Sequence, residues 1–335
     1  MHPRFLEIFC SPTTGKPLQL TQATYDDQGC IESGQLITQD GQETYPIVRG
    51  IPRFVEKEQY ASSFGYEWAR WPRLQFEDQN RGTAMHGYTQ NMFDQVTHFT
   101  ADSVRGKMVV EFGCGSGRFL DRVRALGGCA VGLEMSTAAD VAAENFSQDQ
   151  EHVCVVQGDV LHPPFRPEVF DDGFTIGVLH HTPNPEEGLR QLARTVKPGG
   201  NVICRVYSRH GFYAYPSVRI ARAMHRLLAN IVGKKPADRC FTAYAAFSAH
   251  VLYPLLQAVR AIPLAGKYVA AGLERYVVVN VNLPDARWRM LDVFDAMTPY
   301  YASTHTTEEI RSWFQHAGIT SLQQIKENTF IGIKP

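Results

Sequence analysis

The densest chemical signal in the chain is the run Val109-Val110-Glu111-Phe112-Gly113-Cys114-Gly115-Ser116-Gly117-Arg118-Phe119, an apolar stretch that enters alternating glycines and leaves into a helix-compatible segment. Glycines at such a place let the backbone bend sharply and let a ligand approach the main chain without meeting a Cβ atom. A dinucleotide fingerprint needs Gly or Ala at its sixth position, and Arg118 occupies it. The run therefore reads G-x-G-x-G rather than G-x-G-x-x-G, which disfavours a nicotinamide cofactor. Glu111, just before the turn, can attract an amino group and would repel a pyrophosphate. The next apolar run, CAVGLEMS, ends in Glu134, about twenty residues beyond the turn, a spacing and a residue type suited to accepting hydrogen bonds from both hydroxyls of a ribose. VVQGDVLHPPF then sets Asp159 where a carboxylate can accept from an adenine amino group, with Val160 beside it to flank the ring. The plainer readings are a tight turn for helix and sheet packing and, for Asp159, an ordinary turn residue.

Positioning these residues takes strands that deliver them to one edge. Between Lys107 and Tyr207, short apolar runs (MVVEF, CAVGLE, VCVVQGD, DDGFTIGVL, NVICRVY) alternate with helix-compatible segments, the pattern of βαβ units around a parallel sheet. Residues 1–56, rich in Thr, Gln, Gly and Pro, carry GQLIT and YPIVRGIPRFV between turn signals and predict a small β-rich domain. Residues 57–104 predict helices ahead of the main fold, and residues 105–207 form its core. Residues 208–303 interrupt the scheme with long apolar helical stretches, SVRIARAMHRLLANIV and YAAFSAHVLYPLLQAVRAI. Over residues 304–335, Thr304 or Thr306 caps a helix with Glu308 or Glu309 behind it, Gly318 stops it, and SLQQIKE and TFIGIK close the sheet.

Composition narrows the classes. A chain of 335 residues buries a sizeable core, in about two domains or in one large domain with insertions. Lys and Arg number 33 against 34 Asp and Glu, so no global field draws the chain to nucleic acid or to an anionic membrane, and a polyanionic partner would need a local basic patch. The 7 cysteines are odd in number, scattered and never in a C-x-x-C pair, which argues against a disulfide framework and against zinc knuckles. They read as reduced, mostly buried thiols. The start, MHPRFLEIFC, lacks a basic segment followed by a long apolar run, and no stretch reaches about 18 uncharged apolar residues, so no membrane span and a cytoplasmic location are expected.

The fourth run, Phe170 to Pro185, and the Thr195-Val196-Lys197-Pro198-Gly199-Gly200 segment that closes the following helix complete a set of four motifs in fixed order. Over roughly residues 105 to 207, resuming near 304, this set resembles the class I S-adenosylmethionine-dependent methyltransferase family. The resemblance implies an α/β fold with a doubly wound, Rossmann-like seven-stranded sheet whose last strand is antiparallel, with the helical insertion placed after the fifth strand. It implies S-adenosylmethionine as cofactor, with S-adenosylhomocysteine as product and no metal, bound at the carboxyl ends of the strands. Glu111, Gly113, Gly115 and Gly117 would frame the methionine moiety, Glu134 would hold the ribose, and Asp159 and Val160 the adenine, with Cys114 and Met135 also among the cofactor-binding residues. The backbone from Gly177 to Leu179 would close the site. Residues 1–56 are in turn similar to the small zinc-ribbon-like domain of the tRNA-methyltransferase activator protein, through FLEIFCSPTTGKPLQL and YPIVRGIPRF. That family commonly binds metal with paired cysteines, whereas here only Cys10 sits in the matching region and Cys30 lies far from it. The fold is therefore expected without zinc, since two isolated thiolates cannot complete a four-ligand site.

A sulfonium methyl is already activated, so an enzyme of this kind mainly aligns a nucleophile with the S–C bond and keeps water away. An oxygen or carbon acceptor usually also needs a base. His180 and His181, at the end of the fourth strand, are the first candidates for that base or for orienting substrate, and a purely wall-forming role fits them equally. Tyr300 and His305 could reach the same mouth from the other side. Tyr66 and Trp68, in SFGYEWARW, could lie over the cofactor with its cation against their faces, or simply pack on the sheet. The insertion is too apolar for a solvated loop and reads as a cap over the acceptor, a dimer face, or both. The expected function is methyl transfer to a small molecule, hydrophobic, natural-product or lipid-like, with no nucleic acid partner and with a homodimer open. The alternatives are a methyltransferase acting on RNA or protein, which the balanced charge weakens, a non-catalytic cofactor-binding partner subunit, and, third, an oxidoreductase, against which Arg118 counts.

Overall fold

The computed structural model describes residues 1–55 and 59–335; the boundary expected between residues 56 and 57 lies outside them. The chain opens with an antiparallel sheet of four strands in chain order, β1 (Leu18–Tyr25), β2 (Ile31–Thr38), β3 (Thr44–Val48) and β4 (Ile51–Pro52). Its turns follow local chemistry. The Asp26 carboxylate accepts from the backbone N–H of Gln28 and of Cys30 at 2.9 Å each and folds the β1–β2 connection. Arg49 and Gly50 both take positive φ, 54° and 69°, to make the two-residue β3–β4 hairpin. Ile31, Leu36 and Ile47 bury the inner face of this sheet in one core with Phe5, Phe9, Leu133 and Phe165. Arg53 clamps the sheet to the rest of the molecule through Asp140 at 2.6 Å and Gln157 at 2.6 Å. Cys10 and Cys30 are both buried, free thiols.

Three helices, α1 (Ser62–Arg70), α2 (Tyr88–Thr97) and α3 (Ala101–Val104), lead into the main sheet. There the chain alternates β5 (Met108–Phe112), α4 (Arg118–Ala125), β6 (Cys129–Glu134), α5 (Ala138–Asn145), β7 (Val153–Gln157), β8 (Asp172–Ile176), α6 (Pro185–Thr195) and β9 (Asn201–Arg205). The insertion holds α7 (Pro216–Val232), α8 (Lys234–Phe247), α9 (Tyr253–Arg260), α10 (Gly266–Leu273) and α11 (Ala286–Met297), before α12 (Thr307–His316), β10 (Ser321–Lys326) and β11 (Thr329–Ile333). Of the two candidate caps for α12, Thr306 serves: its hydroxyl accepts from the Glu309 N–H at 3.2 Å and the Glu309 carboxylate accepts from the Thr306 N–H at 2.8 Å.

The strand order is β10-β11-β9-β8-β5-β6-β7, with β11 antiparallel to both neighbours and the pairs β9-β8, β8-β5, β5-β6 and β6-β7 parallel. This is the expected doubly wound α/β sheet. Strands β5 to β8 are buried on both faces, which is why they read as unbroken apolar runs rather than alternating ones. The order reverses at β5, so the loops leaving β5 and β8 diverge and open a crevice at the strands' carboxyl ends. Among the described residues, no helix is long and apolar enough to cross a membrane.

Candidate active site

At the end of β5 the backbone turns sharply, Gly113 and Cys114 both donating to the Leu133 carbonyl at 2.7 and 3.1 Å. Gly113, Gly115 and Gly117 have φ of 76°, 54° and 93°. Space demands glycine as much as conformation does: a Cβ on Gly113 would overlap Val178, and one on Gly115 would meet the Trp68 indole nitrogen at 2.8 Å. The turn floors a cavity of about 500 Å³ lined by Trp68, Glu111, Gly113, Cys114, Gly115, Glu134, Met135, Asp159, Val160, Gly177 and His181. The lining also takes residues from the β9 exit and the insertion, Tyr207, Tyr213, Asn280, Trp288, Asp292 and Asp295.

Three carboxylates stand on the sheet side. Glu134 ends β6 and accepts from the Gly115 N–H at 3.0 Å and from the Ser136 N–H and hydroxyl at 2.9 and 2.7 Å, which pins the tips of β5 and β6 together. Asp159 accepts from the Leu161 N–H at 2.9 Å and from the Tyr60 hydroxyl at 3.4 Å. Glu111 is 2% exposed, and its Oε2 has no hydrogen-bond partner among the described residues. Burial holds its carboxyl well above the usual range, and the half-buried Arg118 guanidinium opposes that rise. A buried carboxylate with an unpartnered oxygen is costly unless a further cation reaches it.

The residues fit S-adenosylmethionine, whose ammonium and sulfonium are cations and whose ribose and adenine present donors. Glu111 would take the ammonium, the glycine turn leaves room for the methionine chain, Glu134 would take the ribose, and Asp159 with the buried Val160 would take the adenine.

Other candidates are distributed unevenly. Trp68 lies against the glycine turn, but Tyr66 turns away to pack on Phe294 at 5.6 Å and to meet the Thr242 hydroxyl at 3.3 Å, outside the cavity lining. Gly117 caps α4, and Leu179 is buried in the main core; neither lines the cavity. His181 lines it. Its Nδ1 donates to the Tyr301 carbonyl at 2.9 Å, leaving Nε2 unprotonated and without a partner among the described residues. Burial lowers its pKa to about 3. His180 stays out of the cavity. It is fully buried, stacks on Tyr207 at 3.6 Å and accepts from the Tyr207 N–H at 3.2 Å. Tyr300 is exposed on the surface, and His305 is held by the Ser303 hydroxyl at 2.7 Å and packs on Trp313; the structure brings neither to the cavity.

The groups that sequence reasoning passed over are Tyr60, Glu67, Tyr207, Tyr213, Asp292 and Asp295. Asp292 and Asp295 lie three apart on α11 and so share a helix face. The Tyr213 hydroxyl and the Asn280 amide donate to Asp292 at 2.6 and 2.7 Å, and the Tyr207 hydroxyl donates to Asp295 at 2.6 Å. Tyr207 and Tyr213 stack at 3.7 Å, which fixes both phenols. Burial pushes the Asp292 carboxyl up to about 6, with Asp295 adding to the rise and the two hydrogen bonds opposing it. Glu67 on α1 is buried, raised by burial and by the facing Asp295 and Asp292, and its Oε2 lacks a partner among the described residues. The available signal was two carboxylates set in the otherwise apolar LDVFDAM.

Residues 110–204 match the model of a methyltransferase domain family. The chain is 31% identical over 120 residues to "Probable tRNA methyltransferase 9B" of Mus musculus, a match covering 34% of this chain and 25% of the mouse protein. It is 31% identical over 114 residues to the ubiquinone biosynthesis O-methyltransferase of Aliivibrio fischeri, covering 33% of this chain and 48% of that one. A solved S-adenosylmethionine-dependent methyltransferase from Thermotoga maritima aligns at TM-score 0.42 and 16% identity, over 83% of this chain and 97% of that one. The chain thus spans less than half the length of these two curated relatives, and what it shares with them is a methyltransferase domain.

Proposed function

We propose that this chain methylates a small-molecule acceptor bound between the glycine turn and the insertion. The observation that carries this reading is the pair of α11 carboxylates, held by Tyr207, Tyr213 and Asn280, that lines the same cavity as the glycine turn. S-adenosylmethionine supplies, when bound, a methyl group already activated by its sulfonium. The chain's own groups bind and orient: Glu111, Glu134 and Asp159 set one ligand on the strand ends, while Trp68 and Trp288 exclude water. Asp292 is the better-placed proton acceptor. With a pKa of about 6 it is ionised at neutral pH yet close to it, so it takes the proton leaving an acceptor heteroatom more readily than His181, whose pKa of about 3 makes a weak base. His181 then serves as a hydrogen-bond acceptor that shapes the wall. The lining includes both tryptophan and carboxylate, which suits an amphipathic molecule.

A tRNA acceptor is the second reading, favoured by the mouse relative. The inner carboxylates would repel a phosphate backbone, so on this reading only a single extruded base could enter. The first sheet is read as an activator-like platform, now on the same chain, that steadies the β7 edge through Arg53. The test is calorimetric titration with S-adenosylmethionine on the intact protein, Glu134→Ala and Asp159→Ala, followed by labelled-methyl transfer to a panel of small acceptors and to total tRNA. Binding weakened by both substitutions, with label in a small molecule, supports the proposal. Absence of binding by the folded protein refutes the cofactor assignment, and label in tRNA alone refutes the acceptor class.

A further inference from the structure

The insertion carries an apolar surface that the candidate active site does not use. On α7 the buried side is Val218, Arg222 and His225. Ile220, Met224, Leu227 and Ile231, spaced four, three and four apart, form a stripe on the opposite side, and all four are at least 59% exposed. The α9–α10 hairpin ends in Ile262-Pro263-Leu264, where Leu264 is 99% exposed, and Tyr268 beyond it is 82% exposed. Patches of this extent on a folded chain mark a binding surface.

Charge says what covers it. The whole chain is balanced, yet residues 216–276 contain nine Lys and Arg and only two acids, Asp238 and Glu274. Both acids are turned inward, Asp238 onto His225 at 2.8 Å and Glu274 onto Arg260 at 2.6 Å. Arg219, Arg226, Lys235, Arg239, Lys267 and Arg275 are exposed, with no carboxylate within 4.0 Å among the described residues. This is a local basic surplus that the overall composition hides. Exposed leucine and isoleucine beside uncompensated cations match an anionic lipid surface, which takes apolar side chains below its headgroups and cations among them. A second copy of the same face would bring like charges together, and a nucleic acid would leave Leu264 and the α7 stripe in water.

We propose that α7 and the α9–α10 hairpin dock this chain on an anionic bilayer as a peripheral protein. The proposal stands on the exposed surface alone and is independent of the methyl-transfer reading. It is tested by co-sedimentation of the full chain with vesicles of equal parts phosphatidylcholine and phosphatidylglycerol, and with vesicles of phosphatidylcholine alone. Ile262→Glu/Leu264→Glu removes the hairpin tip, and Arg219→Glu/Arg226→Glu reverses the flank of α7; circular dichroism and melting temperature confirm that each is folded. Strong sedimentation with the anionic vesicles only, weakened about ten-fold or more by each double variant and by raised salt, is expected. No sedimentation with anionic vesicles, equal sedimentation with both compositions, or a folded double variant that binds like the parent overturns the proposal. A parent dimer that both variants dissolve assigns the face to a second copy and overturns it too.

Discussion

Acidifying the protein from about pH 7 to about pH 5 puts His181 to the test. The imidazole is buried, donates once to the Tyr301 carbonyl and has a pKa lowered from 6.5 to about 3, chiefly by burial and further by the Arg222 cation. The folded pKa lies below the unfolded one, so the unfolded chain binds more protons between the two values. Stability is fully present above 6.5 and is lost as the pH falls toward 3. Complete titration is worth about 5 kcal/mol at about 1.4 kcal/mol per unit, of which about 2 kcal/mol falls between pH 7 and 5. Carboxyls with raised values, Asp292, Glu67 and Glu111, change in the opposite sense, so the parent curve alone does not isolate the effect. His181→Asn keeps a donor for Tyr301 and cannot titrate. Urea unfolding of both proteins across this window should show the variant losing about 2 kcal/mol less than the parent. Parallel curves would refute the assignment of His181 as a neutral buried ring and with it the reason for passing the base role to Asp292.

Asp292→Asn keeps the shape and the Tyr213 contact but removes the proton acceptor; with an acceptor that needs a base, kcat should fall about 100-fold while S-adenosylmethionine affinity is retained. In the parent, kcat should fall as the pH drops through about 6, the value to which burial lifts Asp292, and this limb should vanish in the variant. Gly115→Ala places a methyl 2.8 Å from the Trp68 indole nitrogen and should cost S-adenosylmethionine about ten-fold or more in affinity. Gly106→Ala, away from the cavity lining, is the control: φ is 73° there, nothing lies within 4 Å of the added Cβ, and backbone strain of about 1 kcal/mol with S-adenosylmethionine affinity retained by calorimetry is expected, whereas an affinity loss equal to that of Gly115→Ala would refute the steric argument.

The doubly wound sheet was legible because its signals are local. A buried strand needs a short apolar run, a sharp exit needs glycine, and a helix start needs a cap, so MVVEF, the Gly113–Gly117 turn and the Thr306–Glu309 box can be read within a few residues of themselves. Glu134 and Asp159 were legible as well, since parallel strands in a known order place the first residues after each strand along one edge. What the chain could not tell from its own order was which distant faces meet. Asp292 and Asp295 reach the cavity only because α11 packs Phe294 and Leu291 into the core that α1 shares with the insertion. The same packing turns Tyr66 away and leaves Trp68 at the turn, a choice between neighbours on one helix that no spacing rule makes. His180 and His181 are adjacent in sequence, yet the short helical turn after β8 sends one into the core and the other to the cavity wall. The basic, apolar outer face of the insertion became visible only when folding turned Asp238 and Glu274 inward. Residue order determined which elements form and which chemical groups they carry. Tertiary structure decided which of those groups share a cavity and which charges remain at the surface, because burial and pairing depend on neighbours far away in the chain.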